Sequence, residues 1–174
     1  MRERHLDPPS GYDPLVGRFV TMAVDTRQRL HRDLEDLSPE ELDFTPSWGS
    51  NSIGTLLYHV AAIELDWTFS DLLGRDGDGF PDGAADWFPI DVREEDGRLS
   101  PVVEPMQRHL DRLEWVRGHL LDTLRNMSDA DLDSTFNQGD PEQEVGGAWV
   151  LHHLMQHEAE HRGQIGEIKA ALRA

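Results

Sequence analysis

A chain of 174 residues is long enough for one domain with a sizeable buried core. With 34 acidic against 16 basic residues, its formal net charge is −18, which argues against nucleic-acid binding and against anionic membrane surfaces. It has no cysteine, which excludes disulfides, thiolate metal ligands and a cysteine nucleophile. No signal-peptide pattern opens the chain, and no apolar run approaches the ~20 residues of a membrane span. A cytoplasmic protein is expected.

Residues 1–13 read as an N-terminal arm, and residues 14–174 as a single domain of four long helices. Asp13-Pro14 opens the first, with proline at the first helical position. Its apolar stripe runs Leu15, Phe19, Met22, Leu30, Leu34 and Leu37, at helical period. The second begins near Ser50-Asn51-Ser52, carries Ile53, Leu56, Leu57, Val60, Ile63, Trp67 and Leu72, and ends near Gly74. Residues 74–100 form a long acidic crossover loop, and loops of that length in compact domains are often functional. The third helix starts between Ser100 and Pro105 and carries Met106, Leu110, Leu113, Val116, Leu120, Leu124 and Met127. The fourth follows Gly139-Asp140-Pro141 and runs from about Val145 to Leu172.

The segment from Leu34 to Asp43 echoes that from Leu124 to Asp133, ninety positions on. Both end a long helix and pass through a serine into acidic residues. The echo suggests two similar helical hairpins, although serine followed by acids is also a common way to start a helical turn.

The last helix carries His153, His157 and His161, one every four residues. Such residues share a helix face, here beside Val150, Leu154, Ile165 and Ile168. Buried imidazole nitrogens need partners. His157 and His161 can chelate one ion from one helix, and His59, in the apolar stripe of the second helix, is the best third ligand. Three imidazoles leave a fourth coordination position open, as in catalytic rather than structural sites. His153 is an alternative ligand, or a group for proton transfer. Spacing alone does not choose among the four. A core histidine satisfied without metal is the plainer reading of any one of them.

The run Gly49-Ser50-Asn51-Ser52-Ile53-Gly54-Thr55-Leu56-Leu57-Tyr58-His59 resembles the start of the second helix in the DinB-like superfamily. Glu64 and Trp67 match a recurrent pattern there, and His157-Glu158-Ala159-Glu160-His161-Arg162-Gly163-Gln164-Ile165 is similar to its C-terminal helix motif. The resemblance covers roughly residues 14–172. It implies an all-α four-helix bundle with a long crossover loop, and one divalent metal, zinc or nickel, on His59, His157 and His161. It further implies a metal-dependent enzyme that transfers a low-molecular-weight thiol, of the mycothiol or bacillithiol type, to an electrophilic small molecule, or a related hydrolase. Relatives are commonly dimeric, so a homodimer is expected. His153 is the one candidate catalytic residue.

Other features admit plainer readings. Asp76-Gly77-Asp78-Gly79 resembles a calcium loop, but the later glycine and bidentate glutamate are missing. Glu64 is expected to be a solvated or dimer-facing carboxylate at least as readily as a ligand-orienting one. Trp67 and Trp115 suit packing, Trp87-Phe88 either lines a pocket mouth or anchors the loop, and Arg162 suits a local ion pair. Two rivals to the enzyme stand: a non-catalytic, stress-related bundle with a structural metal, and a metal-free, pH-sensitive histidine core.

Overall fold

A computed structural model describes residues 5–75, 79–137 and 144–173. Four long helices form the body: α1 (Pro14–Leu34), α3 (Ile53–Asp66), α5 (Met106–Arg125) and α6 (Gly147–Leu172). Short helices α2 (Pro39–Asp43) and α4 (Ala84–Trp87) lie in the connections. A feature not anticipated from the sequence is a small antiparallel ribbon, β1 (Thr135–Asn137) with β2 (Glu144–Gly146), leading into α6. The Asp76-Gly77-Asp78 segment and Gly139-Asp140-Pro141 lie outside the described residues. Among the described residues, no helix is long and apolar enough to cross a membrane.

Helix α3 packs against both α5 and α6, and α1 packs against α6. It is almost wholly buried, which follows from its nearly continuous apolar sequence. Ser52 caps its start, its hydroxyl accepting from Thr55 N at 3.2 Å. The helix then widens into a π-helical turn over Trp67–Leu72 and stops at Gly74, whose φ of +59° suits glycine.

The buried face of α1 is Val16, Val20, Ala23, Arg27, Leu30 and Leu34. This is rotated from the stripe expected in its N-terminal half, and Leu15 is exposed. The reason is Arg27, a charged residue in an inward register position that apolar periodicity passes over. The arm packs on this helix. Thr21 Oγ1 donates to Asp7 O at 2.7 Å, and a Cβ on Gly17 would lie 2.5 Å from Pro8 Cβ.

The ninety-residue echo is structural. Ser38 N donates to Glu41 Oε2 at 2.8 Å and Glu41 N donates back to Ser38 Oγ at 3.2 Å. Ser128 N and its hydroxyl both donate to Asp131 Oδ2, each at 2.7 Å. The next residues, Leu42 and Leu132, are both buried in the core.

The long loop is anchored on α5. Arg112, wholly buried, donates from Nε to Trp87 O at 2.7 Å, pairs with Glu104 at 2.6 Å, and lies over the Tyr58 ring at 4.5 Å. Arg108 lies 3.9 Å from the Trp87 ring centroid. Tyr58 exchanges hydrogen bonds with the backbone of Ile90. Trp87 therefore anchors the loop, and Phe88 turns to Tyr58 and lines a cavity.

Candidate metal centre

α3 supplies His59 and α6 supplies His157 and His161 one turn apart, and the three rings meet between the helices. His157 Nε2 lies 3.1 Å from His59 Nε2 and 3.0 Å from His161 Nε2. The potential ligand atoms all lie within 4.8 Å of one another. Nitrogens bound at about 2.0–2.1 Å to one tetrahedral ion stand about 3.3–3.4 Å apart, so small ring movements suffice to seat one. Among the described residues no fourth histidine or carboxylate joins the group. These residues fit a metal ion.

The environment keeps these imidazoles neutral, the form that binds metal. Burial pushes His59 down to about 4, helped by the charges of His161 and Arg93. It pushes His157 down to about 3, with repulsion from the three neighbouring imidazoles and Arg93 adding to it. His161 is lowered by burial, partly offset by its contact with Gln164 at 2.9 Å and by Glu160. His59 Nδ1 is buried with no hydrogen-bond partner.

His153 stands apart from this group. Its ring stacks on Trp149 at 5.1 Å and 2°, lies 4.4 Å from the Trp67 ring, and is 5.9 Å from the His157 ring. It forms an aromatic edge to the cluster. Arg162 pairs with Asp33 at 3.2 Å, as the plainer reading had it.

Glu64 is neither solvated nor positioned at a surface. It is 3% exposed, and with Glu158 (2%), Arg27 (6%) and Arg117 (7%) it forms a buried ion quartet. Arg27 Nε donates to Glu158 Oε1 and Arg117 Nη2 to Glu158 Oε2, both at 2.8 Å. Both arginines also pair with Glu64. Burial raises the Glu64 carboxyl, but the two guanidinium groups outweigh it and hold the group below its ordinary value. Arg27 and Arg117 are ninety positions apart and act alike: Arg27 Nη1 donates to Leu113 O, and Arg117 Nη1 to Ala23 O. The quartet divides the core into two apolar halves, with Leu154 and Ile165 on either side of Glu158. Glu158 follows His157 directly, so the quartet clamps the ligand-bearing helices to α1 and α5. The available signal was positional: Arg27 falls four residues after buried Ala23 and three before Leu30.

A cavity of about 810 Å³ lies next along α3; none of the three histidines lines it, and Arg93 is the lining residue near enough to act on all three. Ala62, Ile63 and Asp66 of α3 line one side, and Phe80, Asp82, Phe88 and Arg93 of the long loop line the other. Residues 62, 63 and 66 share a face of α3 with His59. Arg93 carried no sequence signal, being one of three arginines in an acidic loop.

A helical bundle with three imidazoles converging between facing helices is a recurrent kind of metal-binding scaffold. The family model of the DinB superfamily matches residues 22–165, and the chain belongs to that superfamily. A crystal structure described as the conserved protein of locus from Enterococcus faecalis is similar in fold, with a TM-score of 0.68 at 18% identity. The similarity covers 86% of this chain and 92% of that one. No curated protein matches.

Proposed function

We propose that the protein is a metal-dependent enzyme that transfers a low-molecular-weight thiol, of the mycothiol or bacillithiol type, to an electrophilic small molecule, or a related hydrolase. The observation that carries the reading is the convergence of three imidazole nitrogens, without a fourth ligand among the described residues, beside a cavity wide enough for a small molecule. His59, His157 and His161 would hold one divalent transition ion, zinc or nickel. When bound, such an ion supplies Lewis acidity and lowers the pKa of a thiol or water in its open position.

The chain's own residues do the rest. The three imidazoles enter binding already neutral, because burial suppresses their protonation. The quartet below holds α3 and α6 in register. Phe80 and Phe88 give the cavity an apolar wall on the loop side. His153 is the candidate for proton transfer, placed by its stack on Trp149. The chain has no cysteine, so the thiol comes from a small molecule. A homodimer belongs to the same proposal; a sedimentation mass of twice the 19.8 kDa of one chain is the expected result, and a monomer mass would refute it.

Elemental analysis of untagged protein, beside the His157→Ala/His161→Ala double variant, tests the reading. About one equivalent of a transition ion, lost in the variant, is expected. Loss of free thiol on mixing the loaded protein with a thiol and an electrophile is expected to follow. No ion in either protein after incubation with zinc or nickel would sink the reading.

A further inference from the structure

We propose that the cavity beside the histidine cluster selects a monoanionic small molecule, an apolar body carrying one carboxylate, and that Arg93 is the residue that reads the carboxylate. This deepens the reading above and rests on it, because the cavity is a substrate pocket only if the cluster beside it does chemistry.

The cavity surface is dominated by Ala62, Ile63, Phe80 and Phe88, which suits an apolar body. Among the described residues, Arg93 is the one cation on it. Its guanidinium is held in place at one point: Nη1 donates to Gly97 O at 2.7 Å across the turn of residues 93–99. That turn is tied by the backbone pairing of Arg93 with Leu99 and by the +84° φ of Gly97. Asp96, in the same turn, pairs with Arg98 at 2.7 Å, and among the described residues Arg93 is in no ion pair with a carboxylate. Among the described residues, Nε and Nη2 of Arg93 have no acceptor. An arginine with a free edge suits two parallel hydrogen bonds to a carboxylate.

Position within the cavity adds direction. Arg93 acts on His59, His157 and His161 alike, whereas neither Asp66 nor Asp82, the other charged lining residues, acts on them. All three charged residues are exposed, and of them Arg93 is the one near enough to act on the cluster. Asp66 is further engaged by Ser70 at 3.0 Å. A ligand with one negative charge places it on Arg93, and a second charge would meet Asp66 and Asp82.

The test is titration calorimetry with three probes: 4-phenylbutyrate, its neutral amide 4-phenylbutyramide, and phenylsuccinate as a dianion. Metal-stripped wild type is compared with Arg93→Gln, Arg93→Lys and Phe88→Ala. The proposal expects the acid to bind at least about tenfold tighter than the amide and tighter than the dianion. Arg93→Gln should abolish the preference, Arg93→Lys retain part of it, and Phe88→Ala weaken acid and amide alike. Arg93 is exposed, and matching circular dichroism spectra would establish that its variants fold. Equal affinity for acid and amide, a preference that survives Arg93→Gln, or no binding of either would overturn the proposal. A preference that appears only after nickel is added and ignores Arg93→Gln would also overturn it, because the carboxylate would then sit on the ion. Since the decisive arms contain no metal, failure of the metal-enzyme reading and failure of this one give different results.

Discussion

His157 stands between two other imidazoles, and proton binding there must overcome both burial and their charge. The folded values of about 3 for His157 and about 4 for His59 lie below the unfolded value of about 6.5. The unfolded chain thus takes up protons first as pH falls. The stability contributed by keeping these rings neutral is complete above pH ~6.5 and is lost progressively toward pH 3–4. Urea unfolding of the metal-stripped protein between pH 7 and pH 4.5 should show declining stability. His157→Gln should flatten that decline, and an equal slope in both proteins would refute the assignment. The same logic predicts that metal affinity falls less between pH 7 and pH 5 than at a site of exposed histidines, which isothermal titration at the two pH values reads.

At the scale of elements, the connections after α1 and α5 repeat one local solution. A serine precedes a short helical segment, an acidic side chain three residues on accepts from its backbone, and a leucine follows into the core. Removing the Ser38 hydroxyl leaves Glu41 N without its acceptor. Ser38→Ala should cost about 1 kcal/mol in chemical denaturation without altering metal content. A loss of bound metal in that variant would show that α2 supports the site directly, against this reading. The long loop differs in kind. It has little regular structure and relies on Arg112 and Arg108, side chains of α5 that reach its backbone carbonyls. That dependence sets the position of Phe88 and Arg93 relative to α3.

The whole molecule is organised around a charged centre. Two arginines and two glutamates neutralise each other between two apolar clusters, and each comes from a different long helix. Removing one member leaves buried charges uncompensated. Glu64→Ala should therefore destabilise by about 3–5 kcal/mol. Because α3 and α6 would lose their clamp, metal retention should fall with it even though no ligand is changed. Urea titration with elemental analysis of the same sample reads both effects. A variant of near-normal stability would remove the quartet from its structural role. Exposed pairs such as Arg125 with Asp122 should matter little by comparison.

Four long helices, their approximate limits and the long crossover were legible in the sequence, because burial of an apolar stripe imposes a 3.6-residue period. The three-histidine set was legible only in part. Spacing paired His157 with His161, but left His59 and His153 open until a family resemblance separated them. Tertiary structure decided what depends on partners distant in sequence. Arg27 and Arg117 carry no signal in the apolar pattern, and only packing brings Glu64 and Glu158 to face them. Glu64 looked solvated because a carboxylate's burial depends on which cations the fold brings to it. Arg93 has no local signature at all, since its meaning comes from a cavity formed by α3 and the loop together. Periodicity is a property of one helix, whereas charge compensation and cavity shape are properties of several elements at once, and those were set by packing.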